Sequence, residues 1–339
     1  MTKRLVNLRV GVVQFNPKLG HVQENITRAR EMCRKIEPKS IDLLCFPEMA
    51  FTGYAFGDAT AILPHLEQPK TGATSQFCSE IAKLLQCYVL AGYPERLAED
   101  ELAEIEASAK QRGDKPLLTP EGNEIHQVGA NSAVFYGPDG AYIGGYRKTH
   151  LYHMDKSWAK PGTGFMTFNL PSPVQTLSLG ICMDLNPQIP EWSSEGGPFE
   201  IADYCLEKKS NVLILLNAWL DSRKEPDEER DWSTLNYWAV RARPLWMDSK
   251  NGSDTSDSEG SASPPAAESI LDSDGHETVM IVCNRSGQEN DNLYAGSSAI
   301  FSMQRGAGRP KLLDAMERRE EDIRIWNIKV PGVENKGLI

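Results

Sequence analysis

Short, almost wholly apolar runs recurring between amphipathic segments set the strongest limit on how this chain folds. Leu8-Arg9-Val10-Gly11-Val12-Val13-Gln14-Phe15 is rich in β-branched residues and stops at Asn16-Pro17, which predicts a buried strand. Val22, Ile26, Ala29, Cys33 and Ile36 then recur at helical spacing, with charged residues on the other faces and Pro38 just beyond the end. Residues 41–46 are too apolar to face water on either side. They predict a short strand covered on both faces that delivers Pro47-Glu48 at its carboxyl end. Phe77, Ile81, Leu84 and Leu85 mark a second amphipathic helix and residues 88–93 a third strand. The first hundred residues thus alternate β-α-β-α-β, the pattern of a layered α/β fold.

Beyond that point the pattern dissolves over residues 97–128 into charged and polar sequence with Gly113, Pro116, Pro120 and Gly122, which reads as an inserted loop carrying a short helix at 99–111. Residues 131–136 and 141–148 flank Gly137-Pro138-Asp139-Gly140, a hairpin signature whose second strand ends on Arg147-Lys148. Leu177, Leu179 and Ile181 alternate with Ser178 and Gly180 in a strand that stops at Cys182-Met183. Residues 211–217 predict another doubly buried strand, 232–242 a helix, and 278–283 and 297–302 the last strands of the core. Residues 248–277 are Ser-, Asp- and Gly-rich and offer only Ile270-Leu271 for burial; such composition cannot offset its ordering entropy, so a disordered acidic excursion is expected. The simplest organisation is one domain with these two insertions.

The net charge of -11 disfavours a polyanionic partner such as nucleic acid, which needs clustered Lys and Arg. No run approaches the length of a membrane helix, and the amino end lacks the apolar core of a secretory segment, so a cytoplasmic protein, open also to the nucleus and without a membrane partner, is expected. The seven cysteines are odd in number and scattered, as expected of reduced thiols; six sit in apolar patterns and read as small buried hydrophobes. His150 and His153 are the only close histidine pair. With no neighbouring Cys or carboxylate cluster to complete a metal site, they read as loop residues. Nothing in the composition sets the oligomeric state.

Three predicted strand ends each present one chemically different residue: Glu48, Lys148 and Cys182. Carboxyl ends of strands are where layered α/β folds collect their sites. A thiol of ordinary pKa, about 8.5, needs a base at neutral pH, and a desolvated Glu48 suits that role. Attack on a carboxamide carbon creates an oxyanion that Lys148 and the backbone N–H of Met183 can stabilise.

The blocks LLCFPEMAFTGY, GGYRKTHLY and LSLGICMDLNP resemble, in order and spacing, the three motifs around the Glu-Lys-Cys triad of the nitrilase (carbon-nitrogen hydrolase) superfamily. VGVVQFNPKLGHVQENITRA and NSAVFYGPDGAYIGGYRK extend the resemblance over most of positions 7 to 302 outside the insertions. It implies a four-layer α-β-β-α sandwich, hydrolysis of nonpeptide C–N bonds, and catalysis without metal or organic cofactor. The Cys182-Met183-Asp184-Leu185-Asn186-Pro187 block, with Asn16-Pro17 and Phe51-Thr52-Gly53-Tyr54, is most similar to the branch that deamidates amino-terminal Asn and Gln of polypeptides. Such polypeptides are therefore the expected substrates, with Tyr54, Asp184, Asn186 and Trp192 as candidate substrate-binding residues. Small-molecule amidase or nitrilase activity and a non-catalytic scaffold are the alternatives. In one respect the chain departs from the superfamily. A second Glu is expected about eight residues beyond the lysine, where this chain has Lys156. Either Asp155 takes the role through a one-residue shift or Lys148 is held some other way; the shift is favoured, because an unpaired buried lysine tends to lose its proton.

Overall fold

Along the strands at residues 43–45, 88–96 and 212–217, successive side chains enter different cores, and this alternation builds the layers. The computed structural model describes residues 5–111, 124–248 and 275–331, together with Gly113, Leu118 and Gly122. In chain order the strands are β1 (Leu5–Gln14), β2 (Leu43–Cys45), β3 (Tyr88–Arg96), β4 (Gly129–Tyr136), β5 (Tyr142–Arg147), β6 (Met166–Asn169) and β7 (Thr176–Ile181). They continue as β8 (Val212–Asn217), β9 (Glu277–Asn284), β10 (Gln288–Glu289), β11 (Asn292–Leu293), β12 (Ala299–Gln304), β13 (Lys311–Ala315) and β14 (Asp322–Pro331). The helices are α1 (Val22–Cys33), α2 (Ala59–Ile62), α3 (Ala73–Leu85), α4 (Glu99–Gln111), α5 (His153–Lys156), α6 (Glu200–Lys208) and α7 (Trp232–Arg241).

Two six-stranded sheets run β14-β1-β2-β3-β4-β5 and β13-β12-β9-β8-β7-β6. Each has a parallel centre, β1-β2-β3 in one and β7-β8-β9 in the other, with antiparallel strands outside it. Val10, Val12, Leu43, Cys45 and Leu90 from the first sheet pack with Leu179, Ile181, Ile214, Leu216 and Ile281 from the second. The alternate residues Val13, Leu44 and Val89 face α1 and α3, and Leu213, Leu215, Met280 and Val282 face α6 and α7. Each fully buried Val, Leu or Ile contributes about 1.5–3 kcal/mol of transfer free energy, so a sheet apolar on both faces needs cover on both. The result is the α-β-β-α sandwich.

Several elements escaped the sequence reading, among them β6, α6, β13 and β14. β14, DIRIWNIKVP, pairs with β1 over its whole length from Leu5↔Pro331 to Gln14↔Asp322. It interleaves charged residues with Ile323, Ile325, Trp326, Ile328 and Val330, as an edge strand does. β6 spans only four residues, too few for a period to show, whereas α6 does space Ile201, Ala202, Cys205 and Leu206 along one helical face. The expected helix at 99–111 is present as α4, clasped through Glu101 by Arg147 of the hairpin and by Lys160 beyond α5, each at 2.8 Å. Most of the segment expected to be disordered, residues 249–274, lies outside the described residues. Among the described residues no helix is long and apolar enough to cross a membrane.

Candidate active site

Strand register brings together residues that are far apart in sequence. Glu48 follows β2, and Cys182 follows its parallel counterpart β7 in the facing sheet. The β4–β5 pairing sets Ser132 opposite Arg147, which leaves Lys148 beside Asn131; the Lys148 N–H donates to the Asn131 carbonyl at 2.8 Å. The loop carrying Glu48 lies directly on β3 at Gly92. The Gly92 N–H donates to the Pro47 carbonyl at 3.1 Å and its carbonyl accepts from Ala50 N–H at 2.9 Å. A Cβ on Gly92 would come within 2.6 Å of Glu48 Cα, so only glycine permits this approach.

Lys148, Glu48 and Asp155 are sealed from solvent, at 0%, 0% and 1% exposure. Lys148 Nζ donates to Glu48 Oε1 at 2.7 Å and to Asp155 Oδ2 at 2.6 Å. Glu48 Oε1 also accepts from Asn131 Nδ2 at 2.7 Å, and Oε2 from the Ala218 N–H at 2.7 Å. Asp155 Oδ1 accepts from Asn131 Nδ2 and from the Tyr54 hydroxyl, both at 3.1 Å, and Oδ2 from the Tyr152 N–H at 3.0 Å. Asp155, the acid one residue short of the expected offset, lies against the Lys148 ammonium. Lys156, on the same turn of α5, is half-buried and faces elsewhere, as neighbours about 100° apart around a helix must.

Cys182 opens a short 3₁₀ turn (Cys182–Leu185) with φ of +44°, a left-handed conformation costly for a residue with a Cβ. Its N–H donates to Asn217 Oδ1 at 3.0 Å, which pins that conformation. The neighbouring Ala218 N–H, already on Glu48, also reaches the Cys182 sulfur, where it favours the thiolate. Burial nevertheless pushes the Cys182 thiol well above its ordinary value, and the Glu48 charge adds to this against the pull of Lys148. Burial likewise raises the Glu48 carboxyl, opposed by Lys148 and reinforced by Asp155. Burial acts to lower Lys148, but Asp155 and then Glu48 outweigh it and hold the ammonium's pKa above the ordinary lysine value. A thiol that does not ionise by itself, a basic carboxylate and a fixed cation suit attack coupled to proton transfer.

The expected substrate-binding residues separate. Asp184 is buried, and both its oxygens are occupied: Oδ1 by Thr149 and His150 N–H at 2.9 and 2.8 Å, Oδ2 by Ile181 N–H at 2.8 Å and the Tyr146 hydroxyl at 2.7 Å. It ties the loop after Lys148 to the loop of Cys182. Asn186 also turns inward, accepting on Oδ1 from the Tyr237 hydroxyl at 2.8 Å and Arg241 Nε at 3.1 Å. Trp192 lies against the Arg241 guanidinium, 5.0 Å from ring centroid to Cζ. Tyr54 is at the site, but through Asp155. Met183 is the second residue of the 3₁₀ turn, immediately after the cysteine. His150 Nδ1 donates to the Asn186 carbonyl at 2.7 Å and His153 is exposed against Tyr152; among the described residues no group of three or more His, Cys, Asp or Glu could hold a metal ion. Asn131, Asn217 and Ala218 escaped the sequence reading. The one signal available was that both asparagines are polar residues ending or opening otherwise apolar strands.

The family model for carbon-nitrogen hydrolases matches residues 9–187. The Protein N-terminal amidase of Schizosaccharomyces pombe is 28% identical over 88% of this chain and 92% of its own length. The protein of the same name from Saccharomyces cerevisiae is 28% identical over 67% of this chain and 48% of its own length. Human omega-amidase NIT2 is 23% identical over 48% of this chain and 50% of its own. Among solved structures, an N-terminal amidase with an Asn-Glu-Ala peptide superposes with a TM-score of 0.75 at 21% identity, covering 97% of this chain and 99% of that one. An amidase from Nesterenkonia sp. AN1 does so at 0.59 and 13% identity, over 96% and 90%. With the family model spanning more than half of the sequence and the sandwich built as described, the chain belongs to the carbon-nitrogen hydrolase family.

Proposed function

We propose that this chain is an N-terminal amidase that converts amino-terminal Asn and Gln of polypeptides to Asp and Glu with release of ammonia. One observation carries the chemistry: Glu48 and Asp155 hold Lys148 between them in a buried site beside Cys182. The substrate class is supported by relatives bearing that name, one of which aligns over 92% of its own length.

In this reading Glu48 takes the thiol proton as Cys182 Sγ attacks the side-chain carboxamide carbon. An ammonium carries three N–H donors, and two of those on Lys148 are committed to the carboxylates. The third, with the Met183 N–H, meets the oxyanion. Glu48 returns the proton to the amide nitrogen, the C–N bond breaks, ammonia leaves and a thioester remains. Water, deprotonated by Glu48, then attacks the thioester; the C–S bond breaks, Glu48 reprotonates the sulfur and the carboxylic acid is freed. Asp155 holds Lys148 charged and in place throughout. A cytoplasmic location belongs to the same proposal, in keeping with seven cysteines that are all unpaired.

Peptides beginning with Asn or Gln are expected to release ammonia, and Cys182→Ala to abolish release. Peptides with internal or N-acetylated Asn are expected to be refused. Preference for free small amides, or release that survives Cys182→Ala, overturns the reading.

A further inference from the structure

We infer that Asn131 is a positioning residue for this reaction: its one amide group holds Glu48 in place as a base by giving an N–H to each of the two carboxylates that share Lys148. The inference rests on the proposed role of Glu48 and is independent of which amide is the substrate.

Asn131 is fully buried, and its Nδ2 lies 2.7 Å from Glu48 Oε1 and 3.1 Å from Asp155 Oδ1. Its Oδ1 finds no partner among the described residues. The amide orientation follows from this network, since a carbonyl turned the other way would set a third acceptor against two carboxylates. Two carboxylates on one ammonium leave an excess negative charge in a buried site, and each needs donors beyond those of Lys148. A neutral amide supplies two without adding charge. With Lys148, Asn131 and the Ala218 N–H, Glu48 has a donor from three directions, which fixes the plane of its carboxylate. The Asn131 carbonyl meanwhile takes the Lys148 N–H, so one residue positions both ends of the Glu48–Lys148 pair. The ionisable groups facing Glu48 are Lys148 after β5, Asp155 on α5, Cys182 after β7, Tyr54 in the loop after β2 and Tyr294 after β11. None of the others can donate to both carboxylates without carrying charge.

The test is the pH dependence of Cys182 alkylation by iodoacetamide, followed by peptide mass mapping, because it reads the thiol and its base without any amide substrate. Activation of the thiol requires ionised Glu48, so the rate rises through an acid limb. Asn131→Ala removes the donor to Glu48, and the limb is expected to move to higher pH by about one unit, a roughly tenfold slower reaction below it. Asn131→Asp keeps the shape but adds a negative charge, and its limb is expected higher still. A merely structural role would lower thermal stability and leave the limb where it is. An unmoved limb in either folded variant overturns the inference, as does loss of folding, read by circular dichroism, in both. Absence of a limb in the wild type refutes the base role of Glu48 itself and the inference with it. Ammonia release by an unexpected amide, with the limbs ordered as described, refutes only the substrate assignment.

Discussion

Replacing Gly92 by alanine tests whether catalysis depends on how closely the Glu48 loop lies on β3. The new Cβ would sit 2.6 Å from Glu48 Cα, 2.7 Å from Met49 N and 2.8 Å from the Pro47 carbonyl oxygen, all backbone atoms that cannot swing aside. Ordinary contact begins at 3.4 Å, so the loop must lift by about 0.8 Å. Glu48 hangs on three hydrogen bonds of 2.7 Å, to Lys148, Asn131 and Ala218. Displacement by that amount stretches them to about 3.5 Å, the outer limit of hydrogen bonding. Misplacement of a catalytic group by about 1 Å costs on the order of 100-fold in rate. Overpacking of this kind destabilises by about 1–3 kcal/mol, which lowers Tm by about 1–5 °C in a domain of this size. The assay is kcat/KM for ammonia release from an Asn-peptide, with thermal melting alongside. Gly57→Ala, where a Cβ meets nothing within 4 Å, is the control and is expected to match the wild type. A folded Gly92→Ala with wild-type kcat/KM refutes the reasoning.

Asp155→Ala is expected to lower kcat/KM by about 10–100-fold and, by removing a negative charge that raises Glu48, to move the acid limb to lower pH, opposite to the Asn131 variants. Lys156→Ala is expected to change kcat/KM only a few-fold, about threefold at most; a larger loss there than at Asp155 would refute the role given to Asp155. In the folded protein iodoacetamide is expected to modify Cys182 before the other six cysteines, since it is 8% exposed and they are 1% or less; faster modification of another site, by mass mapping, contradicts this. The bond from Arg147, against the cost of burial and with help from Lys160, holds Glu101 down at about 2. Its folded value lies below its unfolded one, so the stabilisation is present above the unfolded value of about 4.3 and lost as pH falls toward 2. Glu101→Gln should therefore destabilise by about 1 kcal/mol at pH 7, after allowance for solvent screening, and by less at pH 2; equal urea midpoints for variant and wild type at pH 7 would exclude the clasp.

The strands and the polar side chains that end them were legible in the sequence because both are local. A short apolar run is a buried strand wherever it occurs, and the residue that ends it is exposed to the site at the sheet edge, so Glu48, Lys148 and Cys182 could be picked out one at a time. Asp184 and Asn186 stand beside Cys182 in sequence and seemed equally suited to substrate. Their acceptor oxygens instead bind Thr149, His150, Ile181, Tyr237 and Arg241, partners that sequence proximity cannot reveal. β14 escaped because charged residues interrupt its apolar ones, and only its pairing with β1, more than 300 positions away, identifies it.

By itself, then, the sequence determined the layered α/β plan and the three strand-end side chains of the proposed site, since periodicity and strand ends are properties of neighbouring residues. Tertiary structure alone decided which groups surround them. Asp155 rather than Lys156 meets Lys148 because a helical turn sends adjacent side chains about 100° apart, and only its docking settles which one points inward. Asn131 reaches Glu48 and Asp155 because the β4–β5 register sets it beside Lys148. In so deeply buried a site, charge on Glu48 and Lys148 is tolerable only with its donors and acceptors in place, and that placement is fixed by register and packing, not by spacing along the chain.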